Sequence, residues 1–213
     1  MSSEIVVFAK QPVPGSVKTR LARSIGPVAA SRVYAALLDH TLEAAAGSGL
    51  PVVLAVAGGE ASDWTPPTAA RVIPQTGADL GERMRNAFDA RFESGAEGVI
   101  LIGSDLPLVS ADLLASAAAA LGRVPIVLGP ASDGGYWLIG QRAPGRDLFS
   151  DVPWSSHRTL AATREKISRT GAAHEELSEL RDLDNHRDLR RTLEDHRVSS
   201  GLRQRIRAAT ADH

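Results

Sequence analysis

The feature that most constrains the fold is an alternation of short, uninterrupted apolar segments with stretches of helical length. The apolar segments are predicted to be buried strands: residues 5–9, 52–57, 71–73, 99–103 and 125–129. The longer stretches are predicted to be crossover helices: residues 28–46, 81–92 and 111–121. Strands and helices in this order form mostly parallel sheets covered by helices on both faces. The sequence therefore predicts an α/β fold.

The pattern changes after residue 129. A hairpin-like strand is predicted at 136–140, followed by helices near 159–169 and 185–196. The Arg-rich stretch 202–208 is interpreted as a solvated terminal helix rather than an anionic docking site. Because no linker of convincing length or composition divides the chain, we expect one domain over residues 1–213 with a helical C-terminal elaboration.

Composition excludes several classes of protein. The chain has no cysteine, so disulfides, thiol nucleophiles and Cys-ligated metals are excluded, and its six histidines show no zinc-ligand spacing. With 24 basic and 25 acidic residues, it lacks the positive field that non-specific nucleic-acid binding needs. No apolar run reaches membrane length and no secretory signal is evident. We expect a cytoplasmic protein without nucleic-acid or membrane partners; the sequence leaves the oligomeric state open.

The loop after the first strand is the first candidate site, because ligands of α/β sheets bind beyond the carboxyl ends of the strands. Two of the chain's three lysines, Lys10 and Lys18, lie in this loop, and Arg20 adds a third cation. Prolines fix its path, a glycine permits close backbone approach, and a helix N-terminus follows. The predicted nucleotide contacts are Ala9, Lys10, Pro14, Gly15, Lys18, Thr19 and Arg20. A solvated surface loop is the alternative; Walker A and Gly-x-Gly-x-x-Gly patterns are absent.

Acidic residues follow later strands. Asp105 comes directly after the fourth strand, and it is the first candidate ligand for Mg²⁺ or Mn²⁺, since hard divalent cations prefer carboxylate oxygen. The alternative for Asp105 is a side-chain turn ahead of Pro107. Asp184 is the predicted second ligand, with Asp133 as the other candidate for that role. A helix cap is the alternative for Asp184.

Two glycine-containing segments complete the candidate set. Asp133, Gly134 and Gly135 follow the fifth strand at the same edge and are predicted to bind substrate. In the segment 79–83, the acids Asp79 and Glu82 match a helix-capping pattern.

Gly81 and Arg83, in that same segment, remain predicted nucleotide contacts. Trp137 and Trp154 are interpreted as core or loop anchors.

Five segments in fixed order resemble one known family. They are FAKQPVPGSVKTRL at 8–21, DLGERM at 79–84, GSDLP at 103–107, DGGYWLIG at 133–140 and VPWS at 152–155. Together they resemble DUF2064, a glycosyltransferase-like family of the nucleotide-diphospho-sugar transferase superfamily. The resemblance extends to about residue 189.

The resemblance implies a single GT-A (Rossmann-like) domain, with a mainly parallel sheet and an antiparallel strand late in the chain. It implies that the 10–20 loop meets the nucleotide and that Asp105 holds a divalent metal. The segment 182–184 is similar to a late acidic motif that supplies a second metal contact. The chain departs from that motif in having Asn185 where Thr is usual.

Two reactions and one non-catalytic role fit these residues. Nucleotidyl transfer from a nucleoside triphosphate to a small phosphorylated acceptor is favoured, because three loop cations suit a triphosphate. Asp105, Lys18 and Arg20 are the predicted catalytic residues, acting by metal binding and charge stabilisation. Glycosyl transfer from a nucleotide-diphospho-sugar is the alternative, and a non-catalytic nucleotide-binding module is the second alternative.

Overall fold

A computed structural model describes residues 3–58, 71–145 and 147–211. Within these residues the sheet has seven strands in the order β3-β2-β1-β4-β6-β5-β7. Their bounds are β1 Ser3–Lys10, β2 Val52–Ala57, β3 Arg71–Pro74, β4 Gly98–Ile102, β5 Ile126–Pro130, β6 Tyr136–Gln141 and β7 His174–Glu176. Only β6 runs antiparallel to its neighbours β4 and β5. The predicted α/β fold, with an antiparallel strand late in the chain, is confirmed.

The helices follow the predicted order. Their bounds are α1 Thr19–Gly47, α2 Leu80–Glu93, α3 Ala111–Arg123, α4 Thr159–Thr170, α5 His186–Glu194 and α6 Ser200–Ala209. The predicted start of the first helix at residue 28 is wrong, because α1 begins nine residues earlier, at Thr19. Gly26, at φ 73°, breaks the helix and Pro27 restarts it, so residues 19–25 form a short first section. None of the described helices is long and apolar enough to cross a bilayer.

Both faces of the sheet are covered, as the sequence predicts. Alternate residues of β1 point to opposite layers: Ile5 and Val7 pack with residues of α1 and α3, while Val6 and Phe8 pack with residues of α2 and α4. This alternation follows from the two-residue period of a strand. Because β1 is buried on both faces, its last residues are held in place at the carboxyl end of the sheet.

The last two helices pack on α1. Leu21 and Ile25, from the first section of α1, share a buried cluster with Leu183, Leu189 and Leu202. One face of α6 is thus buried against α1, although the sequence predicts a solvated helix, and Arg205 of α6 pairs with Glu43 of α1 at 2.6 Å. The cluster joins the segment before α5 to the first section of α1.

Candidate active site

A cleft of about 510 Å³ opens at the carboxyl ends of β1 and β4. Of the predicted nucleotide and metal contacts, eight line it: Ala9, Lys10, Lys18, Thr19, Arg20, Arg83, Asp105 and Asp184. Three predicted contacts, Pro14, Gly15 and Gly81, are not among its lining residues. Gly15 has φ 84°, which the tight turn requires and which other residues adopt at a cost.

Lys18 lies at the centre of this cleft. Its ammonium donates to Asp105 Oδ2 at 2.7 Å and to Asp184 Oδ1 at 2.9 Å, and its side chain is only 5% exposed. Lys18 is also the N-cap of α1 in a left-handed conformation, at φ 47°. A left-handed backbone at a residue other than glycine costs about 1–3 kcal/mol, and the two ion pairs hold it in place. Segments from three parts of the chain therefore meet at one ammonium.

The charge of Lys18 is fixed by its partners. Burial alone would lower the pKa of this ammonium, but the nearby carboxylates of Asp105 and Asp184 outweigh that effect and raise the pKa above its ordinary value. Lys18 therefore stays protonated throughout the physiological pH range and acts as a permanent cation rather than a proton acceptor.

The contacts of Asp105 and Asp184 differ from the side-chain turn considered for Asp105 and the helix cap considered for Asp184. Asn185, not Asp184, is the N-cap of α5, where it accepts from the backbone N–H groups of Arg187 and Asp188. The Asp105 carboxylate meets Lys18, and its backbone carbonyl accepts from Leu183 N at 3.1 Å. That backbone bond brings the segment before α5 to the end of β4.

The donor set fits a hard divalent cation. Asp105 and Asp184 each direct one carboxylate oxygen to the Lys18 ammonium, while Asp133 lines the second pocket and accepts from Gly135 N. Over the described ranges, no three His, Cys, Asp or Glu side chains gather into a metal cluster. A pair of carboxylates is nonetheless what Mg²⁺ uses when substrate phosphates and waters complete its octahedron.

A buried tyrosine links the end of β1 to the segment after β4. Tyr34 of α1 accepts at its hydroxyl from Lys10 N at 2.8 Å, and the same hydroxyl lies 2.9 Å from Ser104 Oγ. Burial raises the pKa of Tyr34, so the phenol stays neutral. Sequence reasoning missed this residue, because a tyrosine within a helical pattern gives no sign of its tertiary partners.

Asp79 caps α2, as predicted. Its carboxylate accepts from Glu82 N at 2.8 Å, and the Glu82 carboxylate accepts from Ala78 N. Arg83 donates from Nε to the Gly77 carbonyl at 3.2 Å, which orients its guanidinium at the cleft wall.

Gly81 lies where Trp154 and Phe149 pack so closely on α2 that no side chain fits. A Cβ there would lie 2.4 Å from Trp154 Nε1 and 2.8 Å from the Phe149 carbonyl oxygen. We expect Gly81→Ala to lower the free energy of unfolding by about 1–3 kcal/mol, because the indole and the backbone must both shift. Urea unfolding measures this effect, with Gly201→Ala as control, because Gly201 is also the second residue of its helix and an added Cβ there would meet nothing within 4 Å. A stability equal to that of the wild type would show that Trp154 moves away freely.

A second pocket of about 220 Å³ adjoins the cleft, and Phe8, Leu80 and Gly103 line both. Asp133 and Gly135, both predicted to bind substrate, line this second pocket.

The third predicted substrate residue, Gly134, instead packs against the backbone of His157. A Cβ at Gly134 would lie 2.3 Å from the His157 carbonyl oxygen. The Gly134 carbonyl itself accepts from Leu160 N at 2.8 Å. Gly134 therefore closes the turn after β5 onto the start of α4.

Sequence reasoning left Asp182 without a role. It lines the second pocket, and its Oδ1 is fully buried with no hydrogen-bond partner within the described part of the chain. Burial raises its pKa to about 8, and the negative charges of Asp105 and Asp133 add to the effect. The alternation of side chains along an extended segment could have indicated that Asp182 and Asp184 face different neighbours.

Comparison with known proteins places the chain in a family. The model for DUF2064, described as an uncharacterized protein conserved in bacteria, matches residues 39–156, more than half of the chain. The chain belongs to the DUF2064 family. The resemblance seen in its sequence motifs is thereby confirmed.

Two relatives of this DUF2064 chain exceed 30% identity. Phosphoenolpyruvate guanylyltransferase from Sphaerobacter thermophilus is 31% identical over 154 residues, which cover 70% of this chain and 74% of that one. A crystal structure from Desulfovibrio desulfuricans G20, described as a candidate nucleotide-diphospho-sugar transferase, is 32% identical with a TM-score of 0.88. The match covers 100% of this chain and 98% of that one.

A more distant neighbour is similar in fold alone. The crystal structure of the Rv0371C complex with manganese, from Mycobacterium tuberculosis H37Rv, is 21% identical to the DUF2064 chain with a TM-score of 0.55. The match covers 92% of this chain and 100% of that one.

Proposed function

We propose that the protein is a divalent-metal-dependent nucleotidyltransferase, which joins a nucleoside triphosphate to a small phosphorylated acceptor and releases pyrophosphate. The chain is a transferase, the class that its relatives share. The observation that carries the finer proposal is the convergence of Asp105 and Asp184 on Lys18 inside the cleft. Two carboxylates and an ammonium at one point suit the binding of a metal-phosphate complex.

The cations of the cleft support a polyphosphate ligand. Lys10, Arg20 and Arg83 line it together with Lys18. The Arg20 side chain is 75% exposed, with one contact to Asp184 at 3.8 Å, so its guanidinium is available to a phosphate. Guanidinium groups bind phosphate oxygens through paired hydrogen bonds.

Asp105 and Asp184 would hold Mg²⁺ or Mn²⁺. Such a cation, when bound, neutralises phosphate charge. In the proposed reaction a phosphate oxygen of the acceptor forms a bond to the α-phosphorus of the nucleotide. The bond from that phosphorus to the bridging oxygen breaks, and pyrophosphate leaves with the electron pair. Lys18 and Arg20 stabilise the negative charge, so this chain contributes positioning and electrostatics without a covalent intermediate.

Glycosyl transfer is the second candidate. The relative from Desulfovibrio desulfuricans carries that description, and one feature of the site favours it: the second pocket is continuous with the cleft. A sugar attached to a bound nucleoside diphosphate could extend into that pocket. The two reactions differ in the donor, so a comparison of donors separates them.

Thermal unfolding with a panel of donors tests the proposal. A ligand at 100 times its Kd that binds only the native state stabilises it by about 2.7 kcal/mol. We expect a rise in Tm with one nucleoside triphosphate in the presence of Mg²⁺, which EDTA abolishes. Asp89→Asn, on the exposed face of α2, should behave as the wild type. A rise confined to nucleotide-sugars would replace the proposal with glycosyl transfer, and no rise with either class would overturn nucleotide binding in the cleft.

A further inference from the structure

The ammonium of Lys18 lies between the two carboxylates that are proposed to hold the divalent cation. It is 2.7 Å from Asp105 Oδ2 and 2.9 Å from Asp184 Oδ1, and the Lys18 side chain is only 5% exposed. Lys18 therefore balances negative charge that a bound cation would otherwise balance. A cation and this ammonium compete for the same two acids.

The backbones of the two acids are held in place by hydrogen bonds. The Asp105 carbonyl accepts from Leu183 N at 3.1 Å, and Asp184 N donates to the Asp188 carboxylate at 3.2 Å. Leu183, which lies between these two bonds, is fully buried in one cluster with Leu21. We therefore expect both acids to keep their places when the ammonium changes partners.

The Lys18 side chain is the part of this arrangement that can move. A flexible methylene stem separates its ammonium from the backbone, so the ammonium can turn by rotation about side-chain bonds alone. The Lys18 carbonyl accepts from Ala22 N at 2.8 Å, which ties the backbone to α1. Lys18 also lines the cleft, so its ammonium can turn towards a ligand bound there. A change of partner needs no rearrangement of the sheet or of α1.

A polyphosphate in the cleft would offer Lys18 new acceptors. The first turn of α1 contains no acidic residue, and its N-cap makes no side-chain hydrogen bond. Thr19 and Arg20, from the same turn, line the cleft. Backbone N–H groups at a helix N-terminus attract phosphate oxygens. A polyphosphate at this end of α1 therefore brings negative charge next to the Lys18 ammonium, whereas a free cation brings none.

We propose that Lys18 makes the site specific for a divalent cation that arrives with a triphosphate, in preference to the free cation; this inference rests on the proposed function. A free cation must displace an ammonium whose acceptors, among the described residues, are Asp105 and Asp184 alone. A metal–triphosphate complex supplies replacement acceptors itself, so the ammonium moves from the acids to a phosphate. Lys18 is thus a specificity-determining residue for the form in which the cation enters.

Calorimetric titration with Mn²⁺ alone tests the competition. We expect Lys18→Met to bind Mn²⁺ at least about tenfold more tightly than the wild type, because its neutral side chain does not compete for the acids. Arg20→Met is the matched control for loss of a positive charge, since its guanidinium is 3.8 Å from Asp184 but its side chain is 75% exposed. Its Mn²⁺ affinity should rise by less than about threefold, because solvent screens exposed charges.

Crystals of the wild-type chain test the exchange of partners without any variant. They are soaked at one Mn²⁺ concentration, with and without the nucleoside triphosphate that raises Tm, and the anomalous scattering of Mn²⁺ locates the ion. We expect a peak at Asp105 and Asp184 only when the triphosphate is present. In that crystal the Lys18 ammonium should contact a phosphate oxygen and have left at least one of the two acids.

The outcomes separate this inference from the proposed function. Equal Mn²⁺ affinity in the wild type and Lys18→Met overturns the inference and leaves nucleotide binding intact, as does a gain in Arg20→Met as large as that in Lys18→Met. If Lys18→Met does not fold, which circular dichroism would reveal, the crystals decide. A Mn²⁺ peak at the two acids without triphosphate overturns the inference. Failure of every nucleoside triphosphate to raise Tm overturns the proposed function, and the inference falls with it.

Discussion

Asp105→Asn lowers kcat for pyrophosphate release by about 10³-fold, the scale expected when one group that stabilises transition-state charge is removed. Asparagine has nearly the same shape, but its neutral oxygen is a poor partner for both a divalent cation and Lys18. The fold is retained, because Lys18 keeps its contact with Asp184 and the Asp105 carbonyl still accepts from Leu183 N. The measurement is steady-state pyrophosphate release at saturating nucleotide, with Tm recorded in parallel.

The matched control for this variant is Asp89→Asn, which makes the same chemical change on the exposed face of α2. Its kcat should stay within about twofold of the wild type, since surface substitutions have small effects. Activity of Asp105→Asn equal to that of the control would remove Asp105 from the mechanism. A collapse of Tm would instead show that Asp105 serves the fold.

Lys18→Met weakens nucleotide binding by more than about tenfold and lowers the free energy of unfolding by about 2 kcal/mol. The substitution removes the ammonium between two carboxylates, which then repel each other. Breaking a fully buried ion pair costs about 3–5 kcal/mol. The smaller figure is expected here because the side chains of Asp105 and Asp184 are 31% and 38% exposed, so water screens part of the repulsion.

Added Mg²⁺ should stabilise Lys18→Met more than the wild type, because in the variant no ammonium competes for the two carboxylates. Urea unfolding with and without Mg²⁺ measures this difference without any need for activity. Lys166→Met is the matched control, since its ammonium is 3.8 Å from Asp147 and Lys166 does not line the cleft. Unchanged nucleotide affinity in Lys18→Met would refute the assignment of the loop to phosphate binding.

The sheet was largely predictable from sequence because its strands are buried on both faces. Such strands are continuous apolar runs, as in residues 52–57, and every predicted strand is present. The strand β7 was not predicted, since His174–Glu176 is polar and becomes a strand only by pairing with β5 at the sheet edge. The early start of α1 was missed because Gly26-Pro27 reads locally as a helix break.

The candidate site was predictable as a set of residues but not as an arrangement. The rule that ligands bind at the carboxyl ends of strands led to Lys18 and Asp105, and both line the cleft. That Lys18 joins the two acids could not be predicted, because the contact depends on how α5 and α6 pack on α1. The choice of Asp184 over Asp133 as the neighbour of Asp105 depends on the same packing. Their roles in metal binding remain predictions.

The contact between Lys18 and Asp184 joins residues that are 166 positions apart. During synthesis the loop after β1 leaves the ribosome early, whereas Asp184 follows only after all seven described strands. Contacts this distant in sequence form late and slow the approach to the native state. A nascent chain thus carries the loop after β1 for most of its synthesis without a complete site. If the proposed function holds, nucleotide turnover is a sensitive readout of finished folding, and a chain stalled before residue 184 would leave the cellular nucleotide pool untouched.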